Sequence, residues 1–221
     1  MIRGILFDLD GVIVYTDRFH YLAWKRLSEE EGIPFDEEFN LRFRGVSRSD
    51  CLALLLERAN RFYTEREKEE LSDRKNRYYR GYLEKMSPND VSSGVRDTLS
   101  FLRREGYLLA LASASKNAPL ILEKTGLTQS FDAVVDGNMV HAGKPNPEVF
   151  LKAAQAIGVP PEDAMVVEDS SAGLLAGKRG GFTTVGIGPS RGDPNADYSI
   201  SAFSDLLLIP LLKGRPVEGD H

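Results

Sequence analysis

Residues 2–11 read IRGILFDLDG, an apolar run that stops on two carboxylates, Asp8 and Asp10, followed by Gly11. Ile, Leu and Phe in succession read as a buried parallel strand, and the glycine as its exit into a loop. The acids therefore stand at a strand's C-terminal end, the edge where open α/β sheets bind ligands. Residues i and i+2 leaving a strand point the same way, so both carboxylates can face one pocket. Two like charges that close need a cation, or one of them must hold a proton. The plain alternative is a solvated turn, since Asp and Gly are ordinary turn residues. A calcium loop is set aside because Val12 stands where a D-x-D-x-D-G pattern needs its third oxygen ligand.

The chain has 221 residues, enough for one large domain or for a core domain carrying an insertion. With 42% hydrophobic and 28% charged residues, it has the composition of a globular protein with a sizeable core. A net charge of −5 gives no footprint for nucleic acid, although a local basic pocket for a small anion stays open. Cys51 is alone, which excludes an internal disulfide framework and a cysteine-based zinc site. No apolar run reaches eighteen residues, and the opening stretch is too short and too acidic for a signal peptide, so a cytoplasmic protein with no membrane partner is expected.

After the first strand, helical spacing covers 17–31, 35–43, 48–60 and the heavily charged 64–85, with no convincing strand among them. From Asp90 the character changes to a helix over 95–105 and a strand over 107–112. Later strands are predicted at 133–135, 164–167 and 183–187, with a helix over 148–157. Strands alternating with helices argue for a doubly wound parallel sheet, which makes the helical block an insertion between the first two strands. The charge run at 64–85 reads first as the solvated face of a helix, from which only Lys75, Asn76 or Arg77 would reach a ligand. Residues 214–221 read as a frayed tail.

Each later strand also ends on polar chemistry. Ser113, Ala114, Ser115, Lys116 and Asn117 precede a helix expected to start near Lys116, and N–H groups there with hydroxyls and a lysine make a phosphate cradle. Ser and Asn also cap helices, so this stretch alone is weak. Lys144, between Gly143 and Pro145, sits on a stiff loop that can aim its ammonium at a charged group; a surface lysine is the plain alternative. The fourth strand runs into Glu168, Asp169 and Ser170, where an N-cap is the alternative. A parallel sheet brings all these ends to one edge, and the combination outweighs its parts. Oxygen ligands without cysteine or clustered histidine suit Mg²⁺, and the acids plus a phosphate would repel one another without Mg²⁺ and a lysine. The set points to phosphoryl transfer.

FDLDGV (7–12), LASASKN (111–117), GKPNPEVF (143–150) and VEDSSAG (167–173) resemble the four signatures of the haloacid dehalogenase superfamily and, within it, the β-phosphoglucomutases. The helical block resembles that family's cap in HYLAWKRL (20–27), FRGVSRSD (43–50) and RKNRYY (74–79), so the likeness runs from about residue 2 to residue 190. It implies a Rossmann-like core, 1–14 with 93–221, and an inserted all-helical cap, 15–92. It implies Asp8 as a nucleophile forming an aspartyl phosphate and Asp10 as general acid and base. Mg²⁺ would be held by Asp8, the Asp10 carbonyl and Asp169, with Glu168 close by. Ser113 and Lys144 would grip the transferring group, and Arg48 with Ser115, Lys116 and Asn117 the sugar's other phosphate. His20, Trp24, Arg44, Gly45, Val46 and Lys75 would belong to the substrate side of the cap. Three positions depart from the pattern: Tyr15 replaces a hinge aspartate, Arg44 a cap lysine and Ser93 a proline.

The resemblance implies a monomeric phosphomutase that interconverts β-D-glucose 1-phosphate and glucose 6-phosphate through glucose 1,6-bisphosphate. A sugar-phosphate phosphatase differs only in whether water or a sugar hydroxyl takes the phosphoryl group. A non-catalytic phosphosugar-binding module is disfavoured by the presence of both Asp8 and Asp10.

Overall fold

The computed structural model describes residues 1–43 and 46–212. Six parallel strands, β1 (Gly4–Phe7), β2 (Leu108–Ala112), β3 (Ala133–Val135), β4 (Ala164–Glu168), β5 (Thr183–Ile187) and β6 (Tyr198–Ile200), form one sheet in the order β3-β2-β1-β4-β5-β6. The chain builds outward from β1 through β2 to β3, then returns to lay β4 on the other flank of β1. The order reverses between β1 and β4, where Phe7 pairs with Val167, and a crevice opens beyond such a switch point.

Because strand side chains alternate, Ile5 and Phe7 enter one core layer and Leu6 the other. The first layer takes Val95, Leu99 and Leu102 from α5 (Ser93–Arg104) and Ile121 and Leu122 from α6 (Ala118–Thr125). The second takes Val149, Phe150 and Ala153 from α7 (Glu148–Ala156) and Ala176 from α8 (Ser171–Arg179). Both faces of the sheet are thus covered, and each fully buried Leu, Ile or Phe contributes roughly 1.5–3 kcal/mol of transfer free energy.

Between β1 and β2 lies the all-helical cap: α1 (Asp17–Glu31), α2 (Glu37–Asn40), α3 (Arg48–Leu56) and α4 (Glu65–Leu83). Its own core gathers Trp24, Leu27, Phe39, Phe43, Leu52, Leu55 and Leu71. The helix expected over 35–43 is shorter: Asp36 caps α2 by accepting from the Phe39 N–H, and Leu41–Phe43 tightens into a 3₁₀ turn. Helix α3 stops at Leu56 rather than 60, and α6 starts at Ala118, two residues after the expected Lys116. Strand β6 was not expected. The charge run is not wholly a solvated face, since Leu71, Lys75, Tyr79 and Leu83, spaced by four, form the buried stripe of α4. Ser93 takes the first position of α5 behind the N-cap Ser92, a place where proline is common because its missing N–H costs nothing. Tyr15 is 75% exposed where the chain leaves the core. The tail expected to fray, 214–221, lies outside the described residues.

Candidate active site

The loop after β1 closes on itself before the chain departs for the cap. The Gly11 N–H donates to the Val14 carbonyl at 2.7 Å, and the Ile13 and Val14 N–H groups return to the Leu9 carbonyl at 2.9 and 3.1 Å. Gly11 has φ +83°, and a Cβ there would collide with the Asp169 carboxylate, so the turn needs glycine on both counts. Gly173, in the first turn of α8, likewise lets Glu168 approach the backbone. The first approach brings the ends of β1 and β4 together, and the second packs the end of β4 against α8.

Asp8, Glu168 and Asp169 each offer a carboxylate oxygen, all within 4.8 Å of one another. Lys144, its side chain 7% exposed, donates to Asp8 Oδ1 at 2.5 Å and to Glu168 Oε2 at 2.6 Å. Glu168 Oε1 accepts from the Asp169 and Ser170 N–H groups and from the Ser170 hydroxyl. Most of its acceptor capacity is used, so Glu168 anchors the lysine and the turn into α8. Burial raises the Asp8 carboxyl well above the usual carboxylate range against the pull of Lys144, with Glu168 and Asp10 adding to the rise. Burial and the Glu168 charge push Asp169 up to about 7. Burial works to lower Lys144, but the charges of Asp8 and Glu168 outweigh it and hold the ammonium protonated.

Asp10 leaves the loop toward the cap. The hydroxyl of Thr16, a residue the sequence reading did not single out, donates to Asp10 Oδ1 and in turn accepts from the Tyr79 hydroxyl of α4 at 3.2 Å. Burial pushes the Asp10 carboxyl up to about 6, partly opposed by the Thr16 hydrogen bond and by the charges of Lys144 and Lys75. A carboxyl titrating there can both take and give a proton near neutrality.

At the end of β2, Ser113 is 1% exposed and its Oγ accepts from the Ser115 N–H at 3.0 Å. Its own proton is thereby left to donate to an anion. The Ser115 Oγ accepts from the Asn117 N–H at 3.2 Å. Lys116 is exposed, and its carbonyl accepts from Asn138 Nδ2 at 3.2 Å. Asn117 is buried, and its amide is gripped by two α4 residues, Asn76 and Arg80, of which Arg80 went unnoticed in the sequence.

On the cap side, the Lys75 ammonium is 2.9 Å from His20 Nδ1 and 4.8 Å from the rings of both Trp24 and Tyr79. Burial lowers Lys75 to about 7 and, with Lys75 and Arg48 nearby, holds His20 well below its ordinary value. Arg48, partly buried at the start of α3, is the third member of this group. Trp24 is only 2% exposed and packs edge-on against Phe43, so it forms the floor beneath Lys75. Val46 is exposed just before α3. Arg44 and Gly45 lie outside the described residues.

Among the described residues Lys144 is the ammonium that pairs with Asp8 and Glu168, and burial, with neighbouring negative charge adding to it, raises Asp8, Asp10 and Asp169. An all-oxygen cluster of this kind fits Mg²⁺, with Asp8 and Asp169 the carboxylates freest to bind it. No helix among the described residues is long and apolar enough to cross a membrane.

Comparison with known proteins agrees with this geometry. The family model for haloacid dehalogenase-like hydrolases matches residues 2–181. The chain is 40% identical to β-phosphoglucomutase of Bacillus subtilis strain 168, over 93% of this chain and 92% of that one. It is 30% identical to a phosphorylated carbohydrates phosphatase of Thermotoga maritima, over 83% of each. The crystal structure of β-phosphoglucomutase from Clostridium difficile superposes with a TM-score of 0.86 at 33% identity, covering 93% of both chains. Fold, site and sequence agree that the chain belongs to the haloacid dehalogenase-like hydrolase family of enzymes, in which it is similar to the β-phosphoglucomutases.

Proposed function

We propose that this enzyme is a Mg²⁺-dependent phosphomutase that interconverts β-D-glucose 1-phosphate and glucose 6-phosphate, with glucose 1,6-bisphosphate as the bound intermediate. The observation that carries the reading is Asp10. It is a second carboxyl beside the nucleophile, held near pKa 6, tied to the cap through Thr16 and Tyr79, and within reach of the charge of Lys75. The 40% identity to a β-phosphoglucomutase over most of both chains supports transfer to a sugar hydroxyl rather than to water.

In this mechanism an Asp8 oxygen attacks phosphorus and the bond to the sugar oxygen breaks, leaving an aspartyl phosphate. Asp10 gives its proton to the departing oxygen and recovers one from the next hydroxyl, so one group serves both half-reactions. Lys144 and Ser113 stabilise the charge that spreads over the transferring oxygens. Mg²⁺, held by Asp8, the Asp10 carbonyl and Asp169, would neutralise charge and align the phosphoryl group. Arg48, Lys116 and Asn117 clamp the phosphate that is not reacting, while Lys75 and His20 face the sugar. We take 15–92 as the cap domain and the protein as a cytoplasmic monomer acting on a small sugar phosphate.

The test is to incubate the purified protein with Mg²⁺, β-glucose 1-phosphate and a trace of the bisphosphate, then follow glucose 6-phosphate against free phosphate. Predominant release of free phosphate would assign it to the sugar-phosphate phosphatases, such as the Thermotoga relative.

A further inference from the structure

Asn117 sits at the mouth of α6 with an unusual set of partners. It is the residue before the helix, the usual place for a side chain that caps the first turn, yet its side chain caps nothing. Instead its amide reaches across to α4. Arg80 Nη1 donates to Asn117 Oδ1 at 3.1 Å, and Asn117 Nδ2 donates to Asn76 Oδ1 at 2.9 Å. Asn76 and Arg80 are four residues apart, so they lie on one face of α4, and the neighbouring Tyr79 also meets Ser115 of the same core loop.

A guanidinium has only donors, so it accepts nothing and dictates which end of an amide faces it. With Arg80 on the oxygen side, the NH₂ of Asn117 is turned away from Arg80. One of its hydrogens goes to Asn76, and the second remains to donate. With the amide reversed, the carbonyl oxygen would point where a phosphate oxygen must bind, and two acceptors repel. The contact also crosses between the two parts of the molecule, since Arg80 belongs to the cap and Asn117 to the core. It exists only when the cap lies where this structure has it.

We propose that Arg80 is a positioning residue that acts through Asn117, setting the amide with its donors toward the distal phosphate only when the cap is docked. This inference rests on the reading of Asn117 as part of that clamp, and it adds a cap residue that touches no ligand. Docking of the cap and grip on the second phosphate thereby become one event, because the same amide serves both.

The test compares Arg80→Met, which keeps the stem but has no donor, with Arg80→Lys, Asn117→Ala and the double variant Arg80→Met/Asn117→Ala. Each is assayed with β-glucose 1-phosphate, trace bisphosphate and Mg²⁺, well below its melting temperature. Arg80→Met should raise KM on the order of tenfold, the size of one hydrogen bond to a charged group, with the loss falling mainly on KM rather than kcat. The double variant should be no worse than Asn117→Ala alone, and Arg80→Lys should recover most of the loss because an ammonium also donates to Oδ1. Losses that multiply in the double variant would mean that Arg80 touches the ligand itself, and an unchanged KM in Arg80→Met would mean that the bond is incidental. Either overturns the proposal. KM is read on whichever product the wild-type enzyme forms, so an error about mutase activity shows in the wild type, and an error about Arg80 shows only in the variants.

Discussion

The ammonium of Lys75 donates to Nδ1 of His20 across 2.9 Å, inside a wall formed by Trp24 and Tyr79. While Lys75 is charged its ammonium has no lone pair to offer, so Nδ1 is then the acceptor and the single ring proton of neutral His20 sits on Nε2. His20 is thereby set as a neutral donor, with its ring stacked 4.0 Å from that of Tyr79. The arrangement is costly to the fold. Lys75 titrates at about 7, against 10.5 for a free lysine, so the folded chain holds fewer protons than the unfolded one between those values. Stability therefore rises with pH across that window, and the cost of burying the charge is fully present below about pH 7. Lys75→Met should raise the melting temperature near pH 6, by about 2–4 kcal/mol of stability, and lose most of that gain near pH 9.5. Thermal melts at the two pH values check it. An equal gain at both would remove the titration of Lys75 as its cause.

Among the described residues Lys144 is the one ammonium paired with both Asp8 and Glu168. Removing one member of a buried ion pair leaves the other uncompensated and costs about 3–5 kcal/mol. Lys144→Met should accordingly lower the melting temperature at neutral pH and slow phosphorylation of Asp8 by at least about a hundredfold. A variant as stable as the wild type would show that the carboxylates have another counter-charge.

The acid cluster makes a prediction about metal. Asp8, Asp10 and Asp169 all have folded-state values above the ordinary carboxylate, the last two at about 6 and about 7. Each contributes stability that is present at low pH and lost as pH rises through those values, so the metal-free protein should melt at lower temperature at about pH 8 than at about pH 5. Mg²⁺ binds the deprotonated forms, and at a hundredfold excess over Kd it adds about 2.7 kcal/mol. The Mg²⁺-induced shift should be large at the higher pH and small at the lower; a shift independent of pH would place the ion elsewhere.

Arg48 separates a clamp from a catalytic group. Its planar fork suits phosphate oxygens, and it never loses its charge within the working range. Arg48→Ala should reduce mutase turnover far more than it reduces phosphorylation of Asp8 by acetyl phosphate, which has no second phosphate to hold. Measuring both in one preparation decides the matter, because parallel losses would assign Arg48 to the fold or to the transfer site.

What the sequence revealed was the chemistry at strand ends, because Asp8, Lys144 and Glu168 each interrupt an apolar or stiff stretch where no packing need calls for charge. Strand β6 escaped because Tyr198–Ile200 is three residues long and is secured from outside, by Asp197 accepting from the Thr184 N–H and hydroxyl. The burial of Lys75 escaped because hydropathy scores lysine as polar, although the four-residue spacing of Leu71, Lys75, Tyr79 and Leu83 was in plain view. Thr16 and Arg80 could not be read at all. Thr16 meets Asp10, six residues away, because the turn after β1 folds back on itself, and Arg80 meets Asn117, 37 residues away, because α4 packs against the core.

The turn from Leu9 to Val14 satisfies its own backbone groups before the chain enters the helices, and Val91 is already back among the core residues when the chain returns. The pairing of β1 with β2 and with β4 is made by core residues alone, Gly4–Phe7 with 108–111 and with 164–167. Such a junction has the form of a socket: Asp8, Lys144 and the acid pair belong to the frame, and in the proposed mechanism the choice of acceptor would travel with the helices as an exchangeable cassette. Chimeras that carry another relative's helices between these two points should retain phosphorylation at Asp8 and inherit the donor's preference for sugar or water.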